Sequence, residues 1–376
     1  MSILKVDELQ SRTSGNRITL PDVNYYPPYR NLIINGDMSI AQRGTSSSGQ
    51  TTTGYYTIDR FRQTIGMGTW TLSQSTDVPS GQGFAYSQKL DCTTADASPS
   101  GTDRIMFQQY IEGQNLQQLK KGTSNAESLT LSFWVKSNKT GTYICELRDV
   151  DNSRHISKSY TISSADTWEK KTVTYDGDTT GAFDNDNNAS LRLNFWLGTS
   201  STFSSGTLAT SWSSYADANR AVGQVNLADD TANEWLITGV QLEVGTSASD
   251  FEFLPYDVNL KRCERYFQKS YEVLTPVGTD TFTGMAIMRN YSAGDKTNNP
   301  FYTPFQTRMR ATPTMTIYSK AGNSAKIVTG GGTLDNSTTE RSVTGTVASQ
   351  RGLFGIIAQV DASAFGQAHW TADAEL

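Results

Sequence analysis

A cluster of carboxylates is the first feature of this sequence that could carry chemistry. Asp176 and Asp178 open the run Asp-Gly-Asp-Thr-Thr-Gly, and Asp184 and Asp186 repeat the spacing downstream. Alternate carboxylates in a loop are a pattern with which proteins bind Ca²⁺, an ion that takes six to eight oxygen ligands. Asn187 stands where such a loop needs a bidentate Glu, and no helix is predicted on either side. We keep Asp176 and Asp178 as candidate calcium ligands, but a solvated acidic turn is the stronger interpretation.

Aromatic residues in polar stretches are a second set of candidates. Trp212 and Tyr215 lie in an insertion, residues 198–226, that has few other apolar residues. A flat ring lying over a sugar, with amides and hydroxyls around it, is a common way of binding saccharides. For Trp212 we favour the alternative that the indole packs back onto the body of the protein, because large rings are usually buried. Tyr291 and Tyr302 are a second predicted glycan contact, although an ordinary loop role is the commoner case for each.

Residues typical of catalysis are scarce. Only two histidines occur, His155 and His369. The sequence has no nucleophile elbow, zinc-protease motif, phosphate loop or closely paired cysteines. Carboxylates are frequent but scattered, and a glycosidase needs two of them facing one bond. We therefore predict that the protein is not an enzyme, with His155 on the surface and His369 packed in the last strand.

Composition indicates a β-rich framework for these candidates. Hydrophobic residues make up 36% of the 376 residues and charged residues only 18%, with 17 Tyr, 15 Phe and 31 Gly. Many hydroxyl and aromatic side chains with few charges are typical of strands and loops. The net charge of −5 argues against a nucleic-acid partner. No apolar run is long enough to predict insertion into a membrane.

Alternation with a period of two predicts the strands that position these residues. Apolar side chains occupy every second position in four segments, 129–135, 143–147, 191–197 and 240–244. Turn-rich stretches separate the segments, so residues 31–256 are predicted to form a jelly-roll β-sandwich. Shorter strand patterns predict a second, smaller β-sandwich over residues 272–376. The predicted fold class is therefore all-β.

One amphipathic helix is predicted between the two sandwiches, over residues 257–271. Asp257 can cap it, and Leu260, Cys263 and Phe267 fall on one apolar face. That face packs either on copies of itself around a three-fold axis, which would make these three residues oligomerisation contacts, or between the two domains of its own chain. Both arrangements need the same pattern, and the sequence does not separate them.

Two short motifs resemble the opening and closing strands of jelly-roll carbohydrate-binding modules. They are Asn31-Leu32-Ile33-Ile34-Asn35-Gly36-Asp37 and Gly239-Val240-Gln241-Leu242-Glu243-Val244-Gly245. The span as a whole looks like the jelly-roll domains of tail fibres and other virion appendage proteins of bacteriophages, especially phages of cyanobacteria. The run at residues 259–267 resembles the helix that follows such domains, and those at 309–314 and 370–376 resemble the family's tip domain. In such modules a structural cation often joins the first strand to the last, which makes Asp37 a candidate metal ligand. Thr238-Gly239 stands where an acidic pair is usual, so the favoured alternative is that Asp37 ends a turn.

The resemblance implies a structural protein of the phage virion, located in the tail. It would be a homotrimeric tail fibre that attaches to the host cell by binding a surface glycan, with weak contacts on three chains combining through high effective concentration. Residues 1–30 would join it to other tail or virion proteins, and residues 272–376 would form the tip. No cofactor is expected apart from the candidate calcium ion. Two alternatives stay open: a capsid or neck decoration protein with a role in assembly, and a depolymerase acting on host polysaccharide.

Overall fold

Two six-stranded antiparallel sheets form the larger part of the protein. The structure, a computed structural model, describes residues 29–289, 299–330, 339–358 and 365–376. The first sheet has the spatial order β1 (Ser46–Gln50), β3 (Thr69–Ser75), β4 (Ser87–Thr94), β12 (Glu234–Val244), β6 (Leu129–Ser137) and β9 (Glu169–Tyr175). The second has the order β11 (Ser213–Ser214), β8 (Arg154–Ile162), β7 (Gly141–Asp149), β10 (Ala189–Thr199), β5 (Arg104–Glu112) and β2 (Arg62–Ile65). In the described part of the chain, 3₁₀ turns occupy Gly113–Asn115, Gln117–Leu119, Ser201–Phe203, Asp217–Asn219 and Leu227–Asp229.

The core of this sandwich follows from the alternation along its strands. All four predicted segments are strands, in β6, β7, β10 and β12. In β10 the side chains of Leu191, Leu193, Phe195 and Leu197 are fully buried between the sheets. Each such side chain contributes roughly 1.5–3 kcal/mol when it leaves water. The side chains between them face away from the core. Strands β7 and β5 likewise alternate between side chains that face the core and side chains that face outward.

The residues before β1 close the sandwich against β12. The Leu32 N–H donates to Leu242 O (2.9 Å), and the Asn31 side chain bonds both Val240 O (3.1 Å) and the Leu242 N–H (3.0 Å). The Val240 N–H donates to Gly36 O (2.9 Å), and a Cβ on Gly36 would lie 2.1 Å from Val240 O. The two motifs that resemble opening and closing strands are therefore neighbours.

The only α-helix of the described residues is shorter than predicted. Helix α1 runs over Tyr256–Glu264, whereas the prediction was 257–271. The chain leaves the helix after Glu264, and Phe267–Lys269 forms strand β13, whose backbone pairs with residues 371–373. The apolar face of α1 is covered by its own chain: Cys263 is fully buried with Ile34, Ile40 and Tyr266, and Leu260 packs on the same cluster. Phe267 is also buried.

This packing bears on the oligomerisation prediction for Leu260, Cys263 and Phe267. Cys263 and Phe267 are buried within their own chain, whereas Leu260 is half-buried and its oligomerisation role stays a prediction. The Arg43 guanidinium lies 3.8 Å from the centre of the Phe267 ring and covers it. A side chain buried inside one chain cannot also contact a second copy unless the packing opens. The structure therefore favours the alternative, in which α1 connects the domains of its own chain.

The remaining strands form a smaller β-structure with its own core. They are β14 (Ala286–Arg289), β15 (Asn299–Pro304), β16 (Thr314–Tyr318), β17 (Lys326–Gly330), β18 (Thr339–Ser349), β19 (Gly352–Ala358) and β20 (Phe365–Asp373). Strand β20 is central: its end pairs with β13 and β16, and its beginning with β14 and β17. The core of this smaller part includes the buried side chains of Ile317, Ile327, Leu353, Ile356 and Trp370.

The all-β fold class is confirmed: the described residues form a jelly-roll sandwich, one α-helix and a smaller β-sandwich. The predicted domain limits, 1–30, 31–256 and 272–376, stay predictions. The segment 1–30 lies outside the described residues apart from Tyr29 and Arg30. In the described part of the chain no helix is both long and apolar enough to cross a lipid bilayer.

A buried ionic network joins the sandwich to the smaller domain. Arg60 is 1% exposed and pairs with Glu375. Its guanidinium lies 3.4 Å from the centre of the Tyr266 ring and donates to Tyr110 O (2.8 Å). Arg43 also contacts Glu375, at 3.5 Å. Since buried charges are stable only when they are paired and hydrogen-bonded, this network fixes the two parts against each other.

Candidate functional site

Polar and charged side chains line up on the outer face of the second sheet. Strand register places Arg148 of β7 opposite Arg192 of β10, and Arg192 opposite Tyr110 of β5. The next row across the sheet consists of Glu146, Asn194, Gln108 and Arg62. These are the outward positions of strands whose inward positions form the apolar core. The alternation that builds the sandwich therefore also builds this surface.

The insertion 198–226 folds over this face and makes it concave. Phe203 and Ala221 of the insertion pack on Trp196, Met106 and Ile144. The same segment carries three polar side chains over the sheet: Tyr215, Asp217 and Arg220. Together the sheet and the insertion enclose a cavity of about 260 Å³, which we call the arginine cavity because five arginines line it, Arg62, Arg104, Arg148, Arg192 and Arg220.

A buried ion pair forms the base of the arginine cavity. Glu146 is fully buried and accepts two hydrogen bonds from Arg220, Nε to Oε1 (2.8 Å) and Nη2 to Oε2 (2.9 Å). Asn194 Nδ2 (2.9 Å) and Trp196 Nε1 (3.1 Å) also donate to Oε2, and His155 Nδ1 lies 3.3 Å from Oε1. Burial alone would raise the pKa of Glu146, but the Arg220 charge and these hydrogen bonds outweigh it and hold the pKa to about 2. Every acceptor of this carboxylate is occupied, so it is not available as an acid or base.

The other four arginines have no carboxylate partner among the described residues. The Arg148 guanidinium lies over the Tyr215 ring at 4.1 Å, and the Arg192 guanidinium lies over the Tyr110 ring at 4.4 Å. The Nε atoms of both are buried without a hydrogen-bond partner. Burial lowers the pKa of Arg192, and the neighbouring arginines lower it further.

Arg104 and Arg62 add to the positive charge of the arginine cavity. Burial and the nearby Arg220 charge likewise lower the pKa of Arg104. The Arg62 side chain finds a neutral partner, the Tyr110 hydroxyl, at 2.8 Å. Five guanidinium groups thus face two carboxylates, Glu146 and Asp217. Because guanidinium N–H groups match the geometry of carboxylate, sulfate and phosphate oxygens, the arrangement can hold an anionic or strongly hydrogen-bonding ligand.

The structure places the two aromatic candidates of the insertion in different roles. Trp212 packs on the core and donates its Nε1–H to Asp176 O (2.7 Å), which agrees with the favoured alternative; glycan binding by this ring stays a prediction. Tyr215 does line the arginine cavity, but Arg148 covers one face of its ring. Its hydroxyl donates to Asp217 Oδ1 (2.5 Å) and accepts from Arg220 Nη1 (2.8 Å). Tyr215 therefore orients charged neighbours, and glycan contact by its hydroxyl or its other ring face stays a prediction.

The second predicted glycan contact is described only in part. Tyr291 lies outside the described residues. Tyr302, in the edge strand β15, is 56% exposed and stacks on Phe354 with ring centres 5.0 Å apart. Strand β15 belongs to a different sheet from the strands of the arginine cavity, so glycan binding by Tyr302 stays a separate prediction.

The predicted metal ligands are not brought together. In the described residues no group of three or more His, Cys, Asp or Glu side chains is placed to hold a metal ion. Asp178 is buried and pairs with Arg154 (2.7 Å) and Lys121 (3.1 Å), so cationic side chains already occupy its carboxylate. Asp37 accepts from Ser39 Oγ (3.0 Å) and Asn259 Nδ2 (3.1 Å), which agrees with its role in a turn. Calcium binding, including that by Asp176, stays a prediction.

His155 differs from its prediction as a surface residue. It is fully buried, because β11 of the insertion pairs Ser213 with it and Tyr215 covers it with ring centres 5.6 Å apart. His369 is buried, as predicted, and stacks on Tyr271. The covering segment lies far from His155 in sequence, which is why the local pattern around His155 gave no sign of burial.

A larger cavity, of about 580 Å³, lies where β5 meets the end of α1. Its amide side chains are largely used within the protein. Gln109 bonds both the N–H and the O of Ile34 (2.7 and 2.8 Å), Gln114 donates to Glu112 (2.6 Å), and Gln117 donates to main-chain oxygens. The arginine cavity is smaller, but it has more unused hydrogen-bond donors, and we regard it as the better candidate.

Sequence reasoning missed the arginines of this site. Arg148 and Arg192 stand among alternating apolar residues that were used only to predict the core. The outward positions of the same strands hold the missed signal, since a charged residue between two buried ones must face away from the core. Bringing them together needs the pairing of β7 with β10, which the local sequence does not contain.

Comparisons with known proteins give distant likenesses only. No family model matches the sequence, and no curated protein matches it significantly. Among solved structures, the enzymatically active domain of tailspike protein 4 from bacteriophage CBA120 is 17% identical with a TM-score of 0.31 over 58% of this chain, which covers 22% of that one. A CBM4 structure is 13% identical with a TM-score of 0.27, over 56% of this chain and 97% of its own. The tandem CBM22-1–CBM22-2 domain of Paenibacillus barcinonensis Xyn10C is 10% identical with a TM-score of 0.27, over 94% of this chain and 92% of its own.

Proposed function

We propose that this protein binds a glycan in the arginine cavity. The observation that carries the proposal is the concave outer face of the second sheet, where hydroxyl, amide and guanidinium donors surround about 260 Å³ of space. Saccharides are recognised by converging hydrogen bonds. Here Tyr110 and Tyr215 contribute mainly by orienting the arginines, because guanidinium groups lie over their rings. The insertion 198–226 is the element that turns a flat sheet face into a binding site.

The biological setting that we propose is the tail of a bacteriophage virion. The protein would be a structural tail fibre, assembled as a homotrimer, that attaches to the host cell surface. The runs at residues 259–267, 309–314 and 370–376 support this setting through their resemblance to phage virion appendage proteins. Residues 1–30 would join the protein to other tail or virion proteins.

We also propose that the protein is not an enzyme. A glycosidase works with two converging carboxyl groups. Of the two at the arginine cavity, Glu146 has all its acceptors occupied, and Asp217 is held by Tyr215 and Arg220. Incubation with host envelope glycan tests this, and steady release of oligosaccharide would overturn it in favour of a depolymerase.

A substitution that fills the cavity tests glycan binding. Thr102 is exposed and lines the arginine cavity, so Thr102→Trp places an indole in the ligand's space without disturbing the core. A matched control is Thr93→Trp, at an exposed position of β4 in the other sheet. We expect the Thr93→Trp variant and the unmodified chain to bind an array of bacterial surface glycans equally, and Thr102→Trp to lose that binding. Equal binding by all three proteins would place the site elsewhere.

Two measurements test the tail-fibre setting. Light scattering should give a mass three times that of the 41.2 kDa chain, and a monomer would refute the trimer. Immunogold labelling of particles should mark the tail. Label on the capsid or neck would favour a decoration protein instead.

A further inference from the structure

The charge of the arginine cavity is unusual for a site that binds neutral sugars. Arg148 and Arg192 stand directly opposite each other on neighbouring strands. Like charges in such a cross-strand pair destabilise a sheet. Neither guanidinium has a carboxylate partner among the described residues, and the Nε atoms of both are buried and unpaired. The fold thus holds two positive charges together without providing the negative charge that would offset their repulsion.

The surroundings of this pair prepare it for a ligand. The rings of Tyr110 and Tyr215 lie against Arg192 and Arg148, and each contact orients a guanidinium from one side. Arg220, which is 4% exposed, is already matched by Glu146 beneath it. Stacking uses the face of a guanidinium and leaves its N–H edge free to bind two oxygen atoms at once.

We infer that the glycan bound in this cavity is acidic, and that its carboxylate, sulfate or phosphate group is held between Arg148 and Arg192. This inference rests on the proposed glycan function and names the class of saccharide. The neutral lining residues, among them Asn194 and Gln108, would hydrogen-bond the hydroxyl groups of the sugar. The anion supplies the negative charge that the protein lacks at this point.

Matched pairs of saccharides test the inference with the full-length protein. Calorimetric titration would compare oligogalacturonate with its carboxyl-reduced form, and a sulfated galactan with its desulfated form. We expect the acidic member of at least one pair to bind about tenfold tighter or more, since hydrogen bonds to charged groups carry that much discrimination. The difference should shrink as NaCl rises from about 50 to 500 mM, because salt screens the interaction.

Substitution of the two arginines locates the effect. Arg148→Gln and Arg192→Gln should each abolish the preference for the acidic member, whereas Arg351→Gln, an exposed arginine in the smaller domain, should leave it unchanged. The melting temperature separates ligand binding from a structural role. Relief of like-charge repulsion predicts that neither cavity variant melts lower than the unmodified chain, and a clear drop in both would indicate that the arginines serve stability.

The outcomes distinguish this inference from the proposed function. Equal binding of the acidic and neutral members would overturn the inference and leave glycan binding standing. Absence of binding to every saccharide would overturn both. Equally tight, arginine-dependent binding of a single-stranded DNA oligonucleotide would show a general anion site and would also overturn the inference.

Discussion

Replacing Glu146 by glutamine should destabilise the protein strongly. Glu146 is fully buried, and its two oxygens accept hydrogen bonds from Arg220, Asn194 and Trp196. Glutamine has nearly the same shape but is neutral, and its amide group presents donors to donors. Arg220, 4% exposed, would keep its charge without a partner. Breaking a buried ion pair from one side costs about 3–5 kcal/mol, a large part of the 5–15 kcal/mol that typically holds a domain folded.

Urea unfolding followed by tryptophan fluorescence measures this loss, since Trp196 bonds directly to Glu146. Glu127→Gln is the matched control. Glu127 pairs with Lys120 at the surface, where the two side chains are 38% and 54% exposed, and such pairs are worth at most about 1 kcal/mol. If Glu146→Gln stays within about 1 kcal/mol of the unmodified protein, Arg220 is compensated in another way and the account of the site is wrong.

Three further predictions follow from the described contacts. The difference in unfolding free energy between Glu146→Gln and the unmodified protein should shrink as the pH falls from 4.5 towards 2. Folding lowers the pKa of Glu146 from 4.5 to about 2, so the ionised carboxylate stabilises the fold and this contribution is lost as the group becomes protonated. A constant difference over this pH range would contradict the prediction. Arg60→Met should lower the free energy of unfolding, measured by calorimetry, by about 3 kcal/mol, because it leaves Glu375 buried without this partner. A loss below about 1 kcal/mol would show that the contact between the sandwich and the smaller domain does not depend on this ion pair. Gly36→Ala should lower the free energy of unfolding by at least about 2 kcal/mol, because the added Cβ would meet Val240 O. The control is Gly66→Ala, where the nearest atom to the added Cβ is Arg104 O at 3.4 Å. Equal melting temperatures of the two variants would refute the close packing at Gly36.

The strands could be predicted from the sequence because their signal is local. Alternation over segments such as 191–197 reports burial on one side directly, and turn residues mark the ends. The end of the helix was mispredicted for a related reason. Phe267 and Tyr271 are both buried and four residues apart, a spacing that fits a helix with 3.6 residues per turn and a strand with a period of two equally well. Pairing of β13 with residues 371–373 of β20, just over a hundred residues later, decides between them.

The site was less predictable because its parts meet only through long-range pairing. Tyr215 was identified as a binding candidate from its polar surroundings, and it does reach the arginine cavity. Its ring is covered by Arg148, however, and nothing near residue 215 indicates which strand the insertion crosses. The same limit hid the burial of His155. Charge clusters that arise from strand register become visible only when the order of strands in the sheet is known.

The closure of the sandwich by residues 31–36 has a consequence for engineering. The Glu252 carboxylate, where the chain leaves, accepts hydrogen bonds from the main-chain N–H groups of Tyr29 (2.5 Å) and Asn31 (2.9 Å), where the chain enters. Because both ends meet at one corner, a linker of a few residues could join them at little entropic cost, and new termini could open in an exposed turn around residues 98–101. A permuted larger domain would also need a substitute for Glu375, the buried partner of Arg60, and for α1, which covers Ile34 and Ile40.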